Sequence, residues 1–494
     1  MLSSGVCLAV SSVDIPVGSR VYDDLERLEI KGLLPDAILT TRPFGRLEGA
    51  RLTREARENL EALSRDKKER LESAYGIIGG LEEEFRSELA EDTPSFFIKP
   101  VDRLYLGAVY SDKTPYFLNV NNKGDRLASG SGLRAGFTAE ARFLDAVSLY
   151  LNPEYRLDRD SNRVSLPEGY LKVELYGVEL LAGRESMWWG PGSHGDLLVT
   201  DNAKAFDMVR LSVSHPFVLP WVFGYLGPFK PTVFLTRLEK DRDFPRANLL
   251  GMRLDFKPTP GLSIGLSRVF LFGGKGRRSL GASDWFKVFF ASDSAEHSNS
   301  PINGDQIASV DVSYVYVNSR RWVPFSGVKL YTDWGAEDSS GHTKTPSGRA
   351  NTYGVFIDEP LWLKDFDFRV EWANTAHSAR YGPQWYTHFL YTTGYTYEGR
   401  VIGHHMGTDA KDLFLRAQYH LKGGTRLGAE FDREWSGAHD WGRTIRRTWY
   451  EADVRYPLGR RSTLSGALGY ENTDNPVSGD SRTVETWLKI ETYF

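Results

Sequence analysis

Two hydrophobic periods divide the chain near Pro94. Before this residue, apolar side chains recur at helical spacing; after it, apolar and polar residues alternate as far as the C-terminus. A helical period gathers apolar side chains into one stripe, whereas a period of two places them on one face of a sheet. The pattern therefore predicts a small helical bundle over 18–95 and a β-structure over 96–494.

Three short amphipathic helices are predicted in the first part. The first begins near Ser19 and ends at Gly32, the second can have Pro43 in its first turn, and the third begins near Asp66 and is weakened or bent at Gly79-Gly80. Their apolar stripes are Tyr22, Leu25 and Leu28; Leu47, Leu52, Ala56, Leu60 and Leu63; and Leu71, Ala74, Ile78, Leu81 and Phe85. The opposite faces are heavily charged, and we interpret that charge as solvation.

The alternating part is mainly β and is best explained by a transmembrane antiparallel barrel. In a soluble sandwich the apolar face would meet a core, but in a membrane barrel it meets lipid while the charged face lines the lumen. Three features favour the membrane: alternation over roughly 400 residues without a helical crossover, aromatic clusters near strand ends, and a last strand that closes on Phe494. Alternation is clearest over 133–143, 171–175, 366–372, 426–432 and 450–456.

Strand length and turn signals set the scale of the barrel. Typical spanning strands predict about 16–20 strands in this length. Gly423-Gly424 and 458–461 indicate tight turns, and 436–443 and 472–481 indicate longer connections, so short turns and long loops should occupy opposite ends. Strand direction between about 358 and 411 is not assigned.

Composition narrows the class of protein further. The 494 residues include 61 basic and 65 acidic side chains, a balance that leaves no electrostatic footprint for nucleic acid. The single cysteine, Cys7, excludes an intramolecular disulfide and suits an exported barrel. The most apolar stretch, 216–227, is too short for a membrane helix.

The two chain termini carry predicted processing and assembly signals. Residues 1–17 are interpreted as a leader or the remnant of a truncated signal peptide, because they contain small residues and a short apolar centre. Phe494 is predicted to be an assembly signal that the barrel-insertion machinery reads. The expected partners are therefore outer-membrane lipid and that machinery.

Three sequence motifs are examined for catalytic, metal or phosphate chemistry. Gly261 to Gly265 matches a nucleophile elbow but lies within an alternating strand, where no helix follows. Gly273 to Arg278 lacks the ending of a phosphate loop and is interpreted as a basic loop. His404, His405 and Asp409 could bind a metal, but they lack the spacing of known metal ligands, and adjacent histidines are expected to point apart. We therefore predict no catalytic residue, no metal and no cofactor, and interpret the inward carboxylates as a salt-bridge lattice.

Two aromatic, glycine-containing segments are candidates for polysaccharide binding. Sugar recognition needs planar rings beside polar groups that satisfy hydroxyls. The competing interpretation is structural, namely girdle aromatics or glycine-enabled bulges that shape the barrel. The candidate residues are Arg184, Glu185, Trp188, Trp189, His194, His388, Tyr391, Arg400, His404 and Asp409.

The same segments carry a family resemblance. Trp188-Trp189-Gly190-Pro191-Gly192, Asp201-Asn202-Ala203 and Tyr391 to Tyr395, with Thr41 to Phe44 in the helical part, resemble the Wzi-type capsule assembly proteins of the outer membrane. The resemblance covers most of the chain. It implies a monomeric barrel of about 18 strands, a helical bundle in the periplasm, and a non-enzymatic, lectin-like role in attaching capsular or extracellular polysaccharide to the cell surface.

Two other functions remain open from the sequence. An outer-membrane channel or porin for small solutes or oligosaccharides is the main alternative, although the mixed signs of the inward charges are not typical of an ion-selective pore. An outer-membrane hydrolase is less well supported, because the sequence shows no recognisable pair of a catalytic nucleophile and a general base.

Overall fold

The protein is described by a computed structural model over residues 10–90, 94–290, 303–318, 323–340, 345–376, 384–439 and 443–494. Cys7 and the first half of the predicted leader lie outside these residues. Eighteen antiparallel strands form one closed barrel, in which each strand pairs with its chain neighbours and the last pairs with the first. The prediction of a β-barrel of about 18 strands is confirmed.

The barrel strands are numbered here in chain order. They are β1 Phe97–Ser111, β2 Gly130–Phe143, β3 Val147–Leu157, β4 Asn162–Leu175, β5 Val178–Glu185, β6 Phe206–Val213, β7 Pro228–Arg237, β8 Asn248–Thr259, β9 Leu262–Phe272, β10 Asp305–Val317, β11 Gly327–Ser340, β12 Thr345–Asp358, β13 Phe366–Asn374, β14 Ala410–His420, β15 Arg426–Ser436, β16 Ile445–Pro457, β17 Ser462–Asp474 and β18 Ser481–Tyr493. Gly261 to Gly265 runs into β9, so this motif is strand, as predicted.

The strand faces are inverted relative to a soluble protein. In β4 the outward Leu171 is 45% exposed, whereas its neighbour Lys172 is fully buried. The same inversion holds in β18, where Leu488 faces out and Glu485 faces in. An exposed apolar belt around a buried charged interior is the arrangement of a lipid-facing barrel.

Connections differ at the two ends of the barrel. The end that carries 176–177, 260–261 and 458–461 is called the turn end here, and the end that carries 186–205 and 375–409 is called the loop end. The predicted alternation of the last hairpins is confirmed. The unassigned stretch after 358 consists of β13, the long 375–409 loop and the start of β14.

Five helices precede the barrel. They are α1 Arg20–Ile30, α2 Arg46–Ala62, α3 Arg65–Arg70, α4 Glu72–Glu84 and α5 Arg86–Leu89; one more, α6 Ala282–Phe290, follows β9. The predicted third helix is divided at Leu71 and Phe85, and α4 continues through Gly79-Gly80. Pro43 precedes the first turn of α2 rather than lying in it. None of the helices among the described residues has both the length and the apolar character needed to cross a bilayer.

The charged face of α1 is buried against the barrel wall. Glu26 accepts hydrogen bonds from Lys329 at 2.9 Å and Arg369 at 2.5 Å, and Glu29 accepts one from Lys257 at 2.5 Å. Further pairs join Asp24, Arg27 and Lys31 to wall residues. Interpreting these charges as solvated is therefore wrong for α1, because the lumen wall is itself charged and supplies the missing partners.

Residues 10–17 are part of the folded protein. Asp14 is buried, and its carboxylate lies 2.5 Å from both Lys172 of β4 and Arg210 of β6. Burial alone would raise the pKa of Asp14, but the two cations outweigh it and hold the pKa well below its usual range. Residues 10–17 of the predicted leader therefore pack in the lumen, and the leader boundary at residue 17 stays a prediction.

Segments from the two ends meet inside the barrel. Thr41–Arg42, which follows α1, forms a short antiparallel pair with Trp188–Trp189 of the loop-end segment 186–205. Around this pair lies an apolar core built from the loop segments and inward wall residues such as Phe234 and Ile307. Segments from both ends thus occupy the lumen.

Candidate functional site

The Trp188–Gly192 motif folds around one buried carboxylate. Trp188 Nε1 donates a hydrogen bond to Asp196 Oδ2 at 2.6 Å, and the backbone N–H of Gly192 donates to the same oxygen at 3.0 Å. Gly190 has φ +125°, and a Cβ there would lie 2.3 Å from Asp196 Oδ1. The motif needs glycine at this position because the chain turns closely against that carboxylate.

The two aromatic segments lie inside the lumen rather than on a surface. Eight of the ten predicted polysaccharide-binding residues are buried, and two arginines are half-buried. Trp189 is 1% exposed and Tyr391 is fully buried, so neither ring has a free face for a sugar. The buried eight are Glu185, Trp188, Trp189, His194, His388, Tyr391, His404 and Asp409. In this arrangement they offer a polymer little accessible surface, which fits the structural interpretation that the sequence left open; their part in polysaccharide binding stays a prediction.

The polar members of that set have internal partners. Glu185 pairs with Arg210, and Arg184 forms a bidentate pair with Asp207 at 2.8 and 2.7 Å. Asp409 pairs with His439.

Two further members are held by backbone groups. The backbone N–H groups of Leu390 and Tyr391 donate to His388 at 3.1 Å, and Arg400 donates to the Asp125 carbonyl at 3.5 Å. These contacts fix the loops in place and leave few groups free for a ligand.

A histidine–carboxylate cluster lies where the two loop segments meet β14 and β15. The rings of His404 and His405 are 4.6 Å apart, so the expectation that adjacent histidines point apart is wrong. His194, from the other loop, lies 4.6 Å from His405 and stacks on Phe414 at 4.0 Å. Sequence reasoning missed this grouping because 211 residues separate His194 from His405, and only the folding of both loops into one lumen joins them.

The three imidazoles differ in protonation. Burial lowers the pKa of His194 and, more strongly, that of His404. Burial also disfavours the charged form of His405, but Asp412 and Glu434 outweigh it and raise the pKa of His405 to about 9. The cluster therefore contains neutral nitrogen donors beside carboxylates.

A basic cleft of about 980 Å³ lies at the loop end, between segments 235–248 and 272–285; we name it the rim cleft. Among the described residues, six cationic side chains and no carboxylate line it. The cations are Arg237, Lys240, Arg246, Lys275, Arg277 and Arg278. All of them except Arg277 are exposed. A surface lined by several cations attracts anions.

The rim cleft lies on the outer side of the barrel wall. Phe270 and Phe272 point outward by the register of β9, yet both are buried, because Leu280 and Trp285 of the following segment cover them. Trp285 remains 38% exposed and adds an aromatic surface beside the cations. In the sequence, the basic loop Gly273–Arg278 was the only indication of this cleft. The other half of the cleft, residues 237–246, is brought beside that loop by strand pairing.

A second cavity of about 1080 Å³ lies within the lumen, along the wall of β1 to β4. Its charges are mixed: Arg103, Arg134 and Lys489 alternate with Glu140, Glu154 and Glu491, among others. Several of these groups pair with each other, such as Arg103 with Glu491 at 3.1 Å. This cavity belongs to the salt-bridge lattice that the sequence predicted.

Comparison with known proteins places the fold in a family. The family model for capsule assembly protein Wzi matches residues 111–486. The chain belongs to the Wzi capsule assembly family. The resemblance noted in the sequence is thereby confirmed over most of the chain.

Two related proteins resemble this chain, one in structure and one in sequence. Wzi of Escherichia coli, an outer-membrane protein involved in group 1 capsule assembly and described as a carbohydrate-binding β-barrel, has a similar structure, with a TM-score of 0.72 over 99% of both chains at 17% identity. At that identity the likeness shows the fold. A 55.8 kDa protein of the cps region of Klebsiella pneumoniae is 29% identical over 225 residues, which is 45% of this chain and 42% of that protein. The aligned segment thus spans less than half of that relative.

Proposed function

We propose that this protein is a non-enzymatic, lectin-like component of the outer membrane that binds capsular or extracellular polysaccharide and attaches it to the cell surface. The observation that carries the proposal is the rim cleft, whose described lining has six cations and no carboxylate, on a barrel whose lumen is occupied by segments from both ends. The ligand that fits this chemistry is an acidic polysaccharide. Family membership supports the same role.

The chemistry of the cleft suits a charged sugar polymer. Guanidinium groups bind carboxylates and phosphates in bidentate fashion, and an indole face offers an apolar surface for a pyranose ring. Each site need bind only weakly, since one polymer engages many barrels and multivalency raises the overall affinity. Outer-membrane barrels therefore need no deep lumenal site to retain a capsule.

The orientation of the protein follows from barrel architecture. Short turns lie on the periplasmic side of outer-membrane barrels and long loops lie outside. We therefore place the helical bundle over 18–95 in the periplasm and the rim cleft at the cell surface, in a protein that functions as a monomer.

A solute channel is the second candidate function, and the polar lumenal cavity is the observation in its favour. The pairing of Thr41–Arg42 with Trp188–Trp189 across the lumen argues against a wide pore. Single-channel conductance in a planar bilayer discriminates the two functions, because a closed barrel should be nearly silent.

Removal of charge from the rim cleft tests the proposal. The variant Lys240→Ala/Arg246→Ala/Arg278→Ala should insert normally and shed polysaccharide, while synthesis of the polymer continues. Each lost contact should cost about 1 kcal/mol or more, so the affinity of the purified barrel for an acidic polysaccharide should fall by roughly 100-fold. Shed uronic acid in the medium and binding to acidic and neutral polymers at two salt concentrations are the measurements.

The matched control removes three exposed cations elsewhere at the loop end, Lys113→Ala/Arg159→Ala/Arg482→Ala, and should retain the capsule. Equal shedding by both triple variants would contradict a specific site. Unchanged attachment in the cleft variant would reject the cleft. Displacement by lipopolysaccharide but not by acidic polysaccharide would identify the cleft as a site for lipid headgroups instead.

Phe494 is proposed to be the assembly signal. Its backbone N–H donates to the Asp102 carbonyl at 2.9 Å, and its ring is 60% exposed, so deletion removes little internal packing. We expect deletion of Phe494 to lower the inserted fraction while synthesis is unchanged, and Phe494→Tyr to insert normally, as measured by heat-modifiable migration. Equal insertion of the deletion variant would remove Phe494 from this role.

A further inference from the structure

Four potential metal ligands from four separate elements converge in the lumen. They are His194 of segment 186–205, His405 of segment 375–409, Asp412 of β14 and Asp432 of β15. One donor atom from each lies within 4.8 Å of every other. Within the described residues all four side chains are at least nine-tenths buried.

The donor atoms lie close to one another. Asp412 Oδ2 lies 3.6 Å from His194 Nε2, 3.5 Å from His405 Nε2 and 3.9 Å from His404 Nε2. His194 Nε2 also lies 2.6 Å from Asp432 Oδ2. The separations of 3.5 and 3.6 Å are close to those between ligands of one small cation, whereas His194 and Asp432 are at hydrogen-bond distance and would move apart slightly to bind it.

Several of these buried atoms have no hydrogen-bond partner among the described residues. They include both ring nitrogens of His405, and Oδ1 of both Asp412 and Asp432. His405 Nε2 approaches Glu434 Oε1 to 3.0 Å without hydrogen-bond geometry. An orphaned buried polar atom is costly, so this many in one place calls for a further group that satisfies them.

We propose that His194, His405, Asp412 and Asp432 bind a divalent transition-metal cation of the zinc type. Two imidazole nitrogens and two carboxylate oxygens form a donor set that such cations accept in tetrahedral geometry. Metal binding would displace the proton from His405, after which two carboxylates and two imidazoles carry a charge that a divalent cation balances.

The surroundings hold the ligands in place. Phe414 stacks against the His194 ring at 4.0 Å, and Glu371 accepts the backbone N–H groups of Ser193 and His194 at 2.8 and 3.0 Å. A bound cation would fasten both loop segments to the wall strands β14 and β15 and so keep them in the lumen. This role is independent of polysaccharide binding at the rim cleft.

Metal stoichiometry tests the site directly. The full-length protein is purified in detergent, stripped with a chelator, incubated with zinc and desalted, and its zinc content is measured by mass spectrometry. We expect about one zinc per chain in the wild type and a loss of affinity of at least about 100-fold in His405→Gln/Asp412→Asn, since even outer partners of a metal site are worth 10–100-fold. The matched control, His215→Gln/Asp160→Asn, changes exposed residues and should bind like the wild type.

Cobalt substitution keeps the test decisive if the double variant fails to insert. Cobalt bound to the wild type should show the intense visible absorption of a tetrahedral site, and zinc should displace it. A wild-type protein that retains no zinc, or a weak octahedral cobalt spectrum, would overturn the proposal and leave a proton-linked cluster. Equal zinc retention by His405→Gln/Asp412→Asn would place the metal elsewhere and would also overturn it.

Discussion

The rim cleft and the lumen use the same charged residue types in opposite ways. In the lumen, cations and carboxylates are buried and paired, as Lys172 is with Asp14 and Glu179. In the rim cleft, six cations lie together with no carboxylate among the described lining residues, and five of them are exposed. The comparison indicates that the sign of the charges and their partners, rather than their number, distinguish the paired lattice of the lumen from the cationic surface of the rim cleft.

The lumen lattice acts as the polar counterpart of a hydrophobic core. The N-terminal segment and α1 enter a charged barrel and contribute charges of the opposite sign at each contact. Buried ion pairs add little net stability relative to apolar packing, but removal of one partner leaves an uncompensated charge. Such a lattice specifies which segment fills the lumen.

The largest expected effect follows from breaking this lattice at Lys172. Lys172→Met leaves Asp14 and Glu179 with less compensation, and should lower the free energy of unfolding by about 3–5 kcal/mol. The matched variant Lys422→Met changes an exposed lysine at the turn end and should stay within about 0.5 kcal/mol. Denaturant unfolding in detergent measures both, and equal stability of the two variants would show that the lattice is solvated rather than structural.

A pair of tryptophan variants separates the two regions more finely. Trp188→Phe removes a donor to the buried Asp196 and should cost about 1–3 kcal/mol of stability while leaving polysaccharide affinity unchanged. Trp285→Phe, in the rim cleft, should reverse this pattern, with stability nearly unchanged and weaker polymer binding.

Thermal unfolding and a binding titration on the same preparations give both quantities for the two tryptophan variants. If Trp188→Phe lost affinity for polysaccharide but kept normal stability, the binding site would be the lumenal aromatic segment rather than the rim cleft.

The smallest expected effect is on the stability of the rim-cleft triple variant. Because Lys240, Arg246 and Arg278 are exposed, their removal should change the free energy of unfolding by no more than about 0.5 kcal/mol. Polymer binding by the wild type should weaken steeply with salt, and the variant should show a shallower dependence. A large stability change would mean that the cleft is a structural element after all.

Much of the architecture could be predicted from alternation. Each segment with a period of two, such as 133–143 and 450–456, lies in a strand with its apolar residues outward, because lipid on one side and a charged lumen on the other impose opposite preferences on neighbouring residues. Helix breaks at Leu71 and Phe85 were not predictable, since both residues favour helix and the breaks depend on packing.

The candidate sites were less accessible to sequence reasoning. Trp188 and Tyr391 carry the family pattern, but whether such a ring faces a polymer or a core depends on whether its loop folds out of the barrel or into it. The structure folds both loops inward. The sequence showed that the Gly273–Arg278 loop is basic. That Arg237, Lys240 and Arg246 lie beside this loop could be known only from the register of β7 to β9.

The sequence by itself determined the barrel, its short and long ends, the helical unit and the family, because these depend on local period and motif. The tertiary structure alone decided which charges pair, which aromatics are buried, and which distant residues meet. His194 and His405 lie in different loops, and Asp14 lies far from Lys172 in the chain. A closed barrel joins such residues because it encloses whatever chain enters it, and local sequence does not encode that enclosure.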